Sequence, residues 1–220
     1  VLFVPFVVPP LVFFLAAITG LAAVPMTCWD AASEFNDSAN PDAANPSGLW
    51  SAGWKLNLTG KFFLATTASN DLPHASGWAT SSGVPQVAHN THPVPVTVNT
   101  NPIIIPPRAL VLHPGPDGSY AVLRFTVPTD GAYKVSGQFY ALDDNAAGTT
   151  TDVWILPNED KSKAFSARVD YKAGAKMASF TSRMFQLKKG DTLDFEVGYG
   201  GNKNYEYDST GLAAIIEKVK

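Results

Sequence analysis

Between residues 108 and 140 apolar and polar side chains take turns along the chain. Ala121, Leu123, Phe125 and Val127 alternate with Tyr120, Val122, Arg124 and Thr126. Further on, Tyr133, Val135, Gly137 and Phe139 alternate with Lys134, Ser136 and Gln138. A period of two is the mark of an antiparallel sheet with one buried face. PGPDG (114–118) and PTDG (128–131) break the pattern with turn formers, because proline presets φ and glycine accepts positive φ. The stretch therefore reads as three strands and two turns.

The same reading extends along the chain. Residues 29–35 fit either a short strand or a helical turn, and 36–49 form a polar loop. Residues 50–58 and 61–69 predict a strand pair turning at Thr59-Gly60. From 70 to 101 turn formers dominate around Trp78, Val87 and Val94, and Ile103-Ile104-Ile105 is a short buried run. Strands are expected at 151–156, 164–169 and 176–187, with a hairpin turn at 188–191. Then Leu193, Phe195, Val197 and Tyr199 alternate with Thr192, Asp194 and Glu196, and 211–219 closes the chain. About ten short strands at such spacing predict an all-β, two-sheet antiparallel sandwich or jelly roll.

The first 29 residues carry no charge. An apolar run of this length exceeds the roughly 20 residues that cross a bilayer as helix. Pro10 suits a first helical turn, and Phe13, Phe14, Leu15 and Leu21 would belong to the membrane anchor. A retained anchor over 1–28 is preferred to a cleaved secretory signal, with an extracytoplasmic domain over 29–220. The acidic flank of Asp30, Glu34, Asp37 and Asp42 places that domain on the periplasmic side of the cytoplasmic membrane. Cys28 reads as a buried or interfacial thiol.

Net charge of −3 gives no basic face for nucleic acid. One cysteine excludes an internal disulfide framework. His89 and His92 are too few for a metal site, and His113 reads as a turn-supporting residue. Oxygen donors for calcium occur as Asp143, Asp144 and Asn145, and as Asn202, Asn204 and Asp208, without an EF-hand pattern. There is no GxSxG elbow and no recognisable carboxylate pair, since the acidic residues fall on solvent faces or in turns. No enzyme and no cofactor is expected. Among the aromatics, Trp50, Trp54 and Trp78 read as core. Trp154, out of phase with Val153 and Ile155, and Tyr140, Tyr205 and Tyr207 beside polar loops are the candidates for contact with a glycan or a protein partner.

The segments NPSGLWSAGW, VPQVAHN, HPGPDG, TDVWIL and GYGGNKNYEYDSTGL resemble extracytoplasmic jelly-roll domains of bacterial surface and PEP-CTERM-type proteins. Their architecture is like that of carbohydrate-binding modules. The resemblance implies a β-sandwich outside the cytoplasm and carries no agreed catalytic residues. Two roles follow as expectations. One is a structural subunit of a respiratory or photosynthetic membrane complex, with other subunits and the lipid bilayer as partners. The other is an envelope-associated carbohydrate-binding module.

Overall fold

The computed structural model describes residues 27–42, 48–69, 75–98, 103–143 and 148–219. β1 (Cys28–Asp30) runs straight into a one-turn helix, α1 (Ala31–Glu34). Both forms open to residues 29–35 are thus used in succession. Asp30 makes the change: its Oδ1 accepts from the N–H groups of Ala32 and Ser33 at 2.9 and 3.1 Å, as an N-cap carboxylate does.

The strands that follow are β2 (Trp50–Lys55), β3 (Phe63–Leu64), β4 (Thr67–Ser69), β5 (Ala75–Ala79), β6 (Gln86–Asn90), β7 (Val96–Val98), β8 (Ile103–Ile105) and β9 (Leu110–His113). Then come β10 (Tyr120–Thr126), β11 (Gly131–Ala141), β12 (Thr150–Pro157), β13 (Phe165–Asp170), β14 (Met177–Leu187), β15 (Thr192–Gly198) and β16 (Thr210–Val219). One antiparallel sheet has the order β14-β11-β16-β9-β6-β5-β4, with β1 also on β16. The second runs β13-β12-β15-β10-β2-β3, and β7 pairs with β8 as a separate hairpin. The expected all-β antiparallel sandwich is the observed architecture.

Between the two sheets lies the core. Leu123, Phe125, Tyr133, Val135, Phe139, Ile155, Leu193, Phe195 and Leu212 are all buried there. Trp50 sits 5.0 Å from Phe125 and 5.8 Å from Phe195, ring centre to ring centre. Each such side chain contributes roughly 1.5–3 kcal/mol by leaving water. A smaller cluster of Val96, Ile105, Ala109, Val111 and Leu142 lies where the β7–β8 hairpin meets Val111 of the larger sheet, and Tyr140 packs against it.

Several expectations change in partner rather than in place. Residues 108–140 do form three strands, β9, β10 and β11, but β10 belongs to the six-stranded sheet and its neighbours in sequence to the eight-stranded one. Both turns are arches that carry the chain across the core. Residues 188–191 likewise link β14 to β15 on opposite sheets, so they are not a hairpin. The segment 61–69 splits: β3 pairs with β2, while β4 joins β5 in the other sheet. β5 and β6 fall in the stretch that gave poor signals. There Gly77 lets two backbones meet, since a Cβ would lie 2.2 Å from the Val87 carbonyl oxygen. Cys28 is exposed and free, not buried. The expected membrane anchor, with Pro10, Phe13, Phe14, Leu15 and Leu21, lies outside the described residues. Among the described residues no helix is long and apolar enough to cross a membrane.

Candidate functional site

The four aromatic candidates do not share one surface. Trp154 lies half-buried on the outer face of the six-stranded sheet, and its Nε1 donates to Asp152 Oδ2 at 2.8 Å. The ammonium of Lys161 stands 5.3 Å from its ring. Tyr205 is packed edge-on against His113, 5.9 Å between ring centres. Tyr207 is exposed at a positive φ of 64°. Tyr140 is on the outer face of the other sheet, where burial pushes its hydroxyl up to about 12. Its ring lies flat across Gly211, where any Cβ would come within 2.2 Å of it.

Two adjoining hollows open beside that ring. The first, about 340 Å³, is lined by Tyr140, Ser136, Ala213, Ile215, Pro106 and Pro107. The second, about 510 Å³, is lined by Asp30, Ser33, His89, Thr91 and Arg108. Asp30, Ala32 and Arg108 border both, so the two form one groove with an apolar half and a polar half. Alternation on β16 builds the apolar floor: Leu212, Ala214 and Ile216 point into the core, which turns Ala213 and Ile215 outward.

The polar half hangs on buried Asn90. Its side-chain Nδ2 donates to the carbonyls of Ile105 and Pro106 at 3.1 and 2.9 Å, and its N–H donates to Ala109 O at 2.9 Å. These bonds hold the turn of residues 106–109, closed by Ala109 N–H to Pro106 O at 3.2 Å. His89 secures the turn from the side, Nε2 to Arg108 O at 3.1 Å. A carbonyl only accepts, so Nε2 carries the hydrogen. Burial holds the His89 imidazole below its ordinary range, which keeps the ring neutral near pH 7 and leaves Nδ1 as an acceptor.

The outer face of the six-stranded sheet is differently built. Arg124 grips Asp194 with Nε and a terminal nitrogen at 2.6 and 2.7 Å, and reaches Glu159 at 3.0 Å. Lys55 Nζ lies 2.6 Å from Asp194 and 2.8 Å from Glu196, all three fully buried. These carboxylates alternate outward as expected, yet they are not on a solvent face. Burial pushes Glu196 up to about 8, with Asp194 adding to the rise and Lys55 opposing it. Burial alone would lower the Lys55 amine, but its two carboxylate partners win and raise it. A hollow of about 460 Å³ opens beside Arg124 and Phe62, but that guanidinium is already paired and capped by the Phe62 ring at 4.2 Å. No local sequence signal marks this network, because its cations and anions meet only when β2, β10 and β15 pair.

Of the oxygen donors for calcium, the fold brings Asp143 and Asp208 together in the interior. Asp143 Oδ2 accepts from Ser209 N–H at 2.7 Å, and Asp208 Oδ1 from Thr150 N–H at 2.8 Å. They tie the loop before β12 to the loop before β16. Burial lifts Asp208 to about 7, helped by Asp143 and Asp152 and opposed by the Thr150 bonds. Asn202 donates to Thr150 Oγ1 at 2.5 Å, and Asn204 accepts from Glu206 N–H, both as loop formers. Asp144 and Asn145 lie outside the described residues. Among the described residues no group of three His, Cys, Asp or Glu is placed to hold a metal. His113 Nδ1 lies 3.0 Å from Pro114 O, at the start of the arch it was expected to support.

No family model matches the chain, and no curated protein matches it. Among solved structures it is similar to the CBM51 from a Clostridium perfringens GH95 in complex with methyl-galactose. That pair is 14% identical over 70% of this chain and 94% of the other, with a TM-score of 0.36. A β-glucosidase from Kluyveromyces marxianus in complex with glucose is 16% identical over 87% of this chain and 18% of that one, TM-score 0.33. Pika GITRL is 13% identical over 45% and 77%, TM-score 0.28. At these identities and TM-scores the likenesses assign no function, and the two-sheet architecture rests on the strand pairings themselves.

Proposed function

We propose that the domain is a non-catalytic binding module and that its groove on the eight-stranded sheet takes a carbohydrate. The observation that carries this reading is the junction, in one groove, of an aromatic and aliphatic floor with polar groups. Tyr140 and Ile215 offer a surface for the C–H face of a sugar ring, and His89, Thr91 and Arg108 border the half where hydroxyls would be bonded. Specific pockets combine a largely apolar lining with a few placed polar groups in this way. The six-stranded face is a poorer candidate, because its charges are paired with one another.

Screening the domain against a glycan array, followed by titration calorimetry on the best oligosaccharide, tests the proposal. Binding is expected, and Ile215→Asp, at an exposed position, is expected to abolish it without unfolding the protein. No binding to any glycan, or binding indifferent to Ile215→Asp, would remove the groove from consideration. The role of structural subunit in a membrane complex gains no supporting observation among the described residues; co-migration with other subunits in mild detergent is its test.

A further inference from the structure

Arg108 holds a backbone conformation that its side chain makes expensive. Its φ is +58°, in the left-handed region that costs a non-glycine residue about 1–2 kcal/mol. In the turn of residues 106–109 it follows Pro107 and occupies the third position, where a positive φ is ordinarily supplied by glycine. Asn90, His89 and the two prolines over-determine the turn, so the arginine is presented on a stiff support. Strain kept in place by its surroundings, at the edge of a groove, is a pointer to function.

The charges around it are unevenly distributed. Arg124 and Arg168 each pair with carboxylates and Arg183 packs over the Phe165 ring, whereas among the described residues no carboxylate pairs with Arg108. Asp30, which borders both hollows, is engaged through its Oδ1 in capping α1, and Asp37 accepts the hydroxyl of Ser76. A guanidinium has five donors in a planar fork that fits carboxylate and sulfate oxygens.

We infer that Arg108 anchors an acidic group on the ligand, so that the groove selects an acidic oligosaccharide over a neutral one. This rests on the reading of the groove as a carbohydrate site. The residues of the apolar half hold the sugar ring, and the guanidinium takes the anionic substituent, carboxylate or sulfate.

The test measures affinity for an oligogalacturonate, its carboxyl-reduced neutral counterpart and a sulfated galactan fragment of equal length. One or both acidic ligands are expected to bind about ten- to a hundredfold tighter than the neutral one, the range of a charge-assisted hydrogen-bond pair. The stronger acidic ligand identifies the anion. Arg108→Gly relaxes the backbone, so its thermal unfolding midpoint is expected at or above that of the parent while the acidic preference vanishes. Arg108→Lys retains part of the preference. Equal affinity for acidic and neutral ligands, an acidic preference that survives Arg108→Gly, or a lowered midpoint in that variant each overturns the inference. In the first two outcomes the groove still binds sugar; binding of none of these ligands, together with a blank array, overturns the underlying reading instead.

Discussion

The outer faces of the two sheets are made from the same alternation and end in opposite states. On the six-stranded sheet the outward positions Lys55, Asp194 and Glu196 are drawn together and buried, with half-buried Arg124 paired to them. On the eight-stranded sheet the outward positions Tyr140, Ala213 and Ile215 floor an open groove, with Arg108 at its rim. Polar residues that pair with one another stabilise or specify a structure and are closed to other partners. Polar residues left at the edge of an apolar floor are what a ligand can use. The difference separates scaffold from site more sharply than composition does.

Lys55→Met puts the largest strain on that contrast. Removing Lys55 leaves buried Glu196 without its cation and Asp194 with Arg124 alone, with an expected loss of about 3–5 kcal/mol. Urea unfolding measures it, and binding in the groove should persist in the protein that remains folded. Gly211→Val attacks the other face. Its Cβ collides with the Tyr140 ring, so the ring is displaced; an overpacking loss of about 1–3 kcal/mol and loss of glycan affinity are expected in the same calorimetric and unfolding assays.

The Asp143–Asp208 pair refines the picture through pH. Asp208 is raised from its ordinary value to about 7, so between those values the folded state holds a proton that the unfolded chain releases. Stability from this group is full below the ordinary carboxylate range and falls as pH rises through about 7. Asp208→Asn is expected to flatten the slope by up to about 1.4 kcal/mol per pH unit, read from unfolding midpoints between pH 5 and 7. Glu196, raised to about 8, contributes a slope of the same sign that remains in the variant. Trp154→Ala has the smallest expected effect: about 1 kcal/mol for its hydrogen bond to Asp152, and none on affinity in the groove. A loss of glycan binding there would move the site to the six-stranded face.

Much of the architecture was legible in the chain. β9 to β15 lie where strands were expected, and Trp154 does face away from the core. Tyr140 stood out as a candidate because it sits beside a polar loop at the end of an alternating strand, and it lines the groove. Arg108 and His89 were not readable as its neighbours. Arg108 appears only as the first residue of a strand-rich stretch, and His89 as one of two histidines too few for a metal site. Asn90, which holds their turn, has no local signature at all. The buried carboxylates were misplaced for a related reason: alternation shows that Asp194 and Glu196 point away from the core, but not what meets them there.

Strand position and strand sidedness follow from the sequence by itself, because a period of two is a property of neighbouring residues. Which sheet a strand joins does not follow, because PGPDG, PTDG and KKGD turn the chain equally well into a hairpin or across the core. The fate of the outward polar residues is equally non-local. Lys55 meets Glu196 across 141 positions of sequence, and Arg108 comes to border the same groove as Ile215 only through the pairing of β6, β9 and β16. Tertiary pairing decided these matters, since charge is neutralised or left available by neighbours in space.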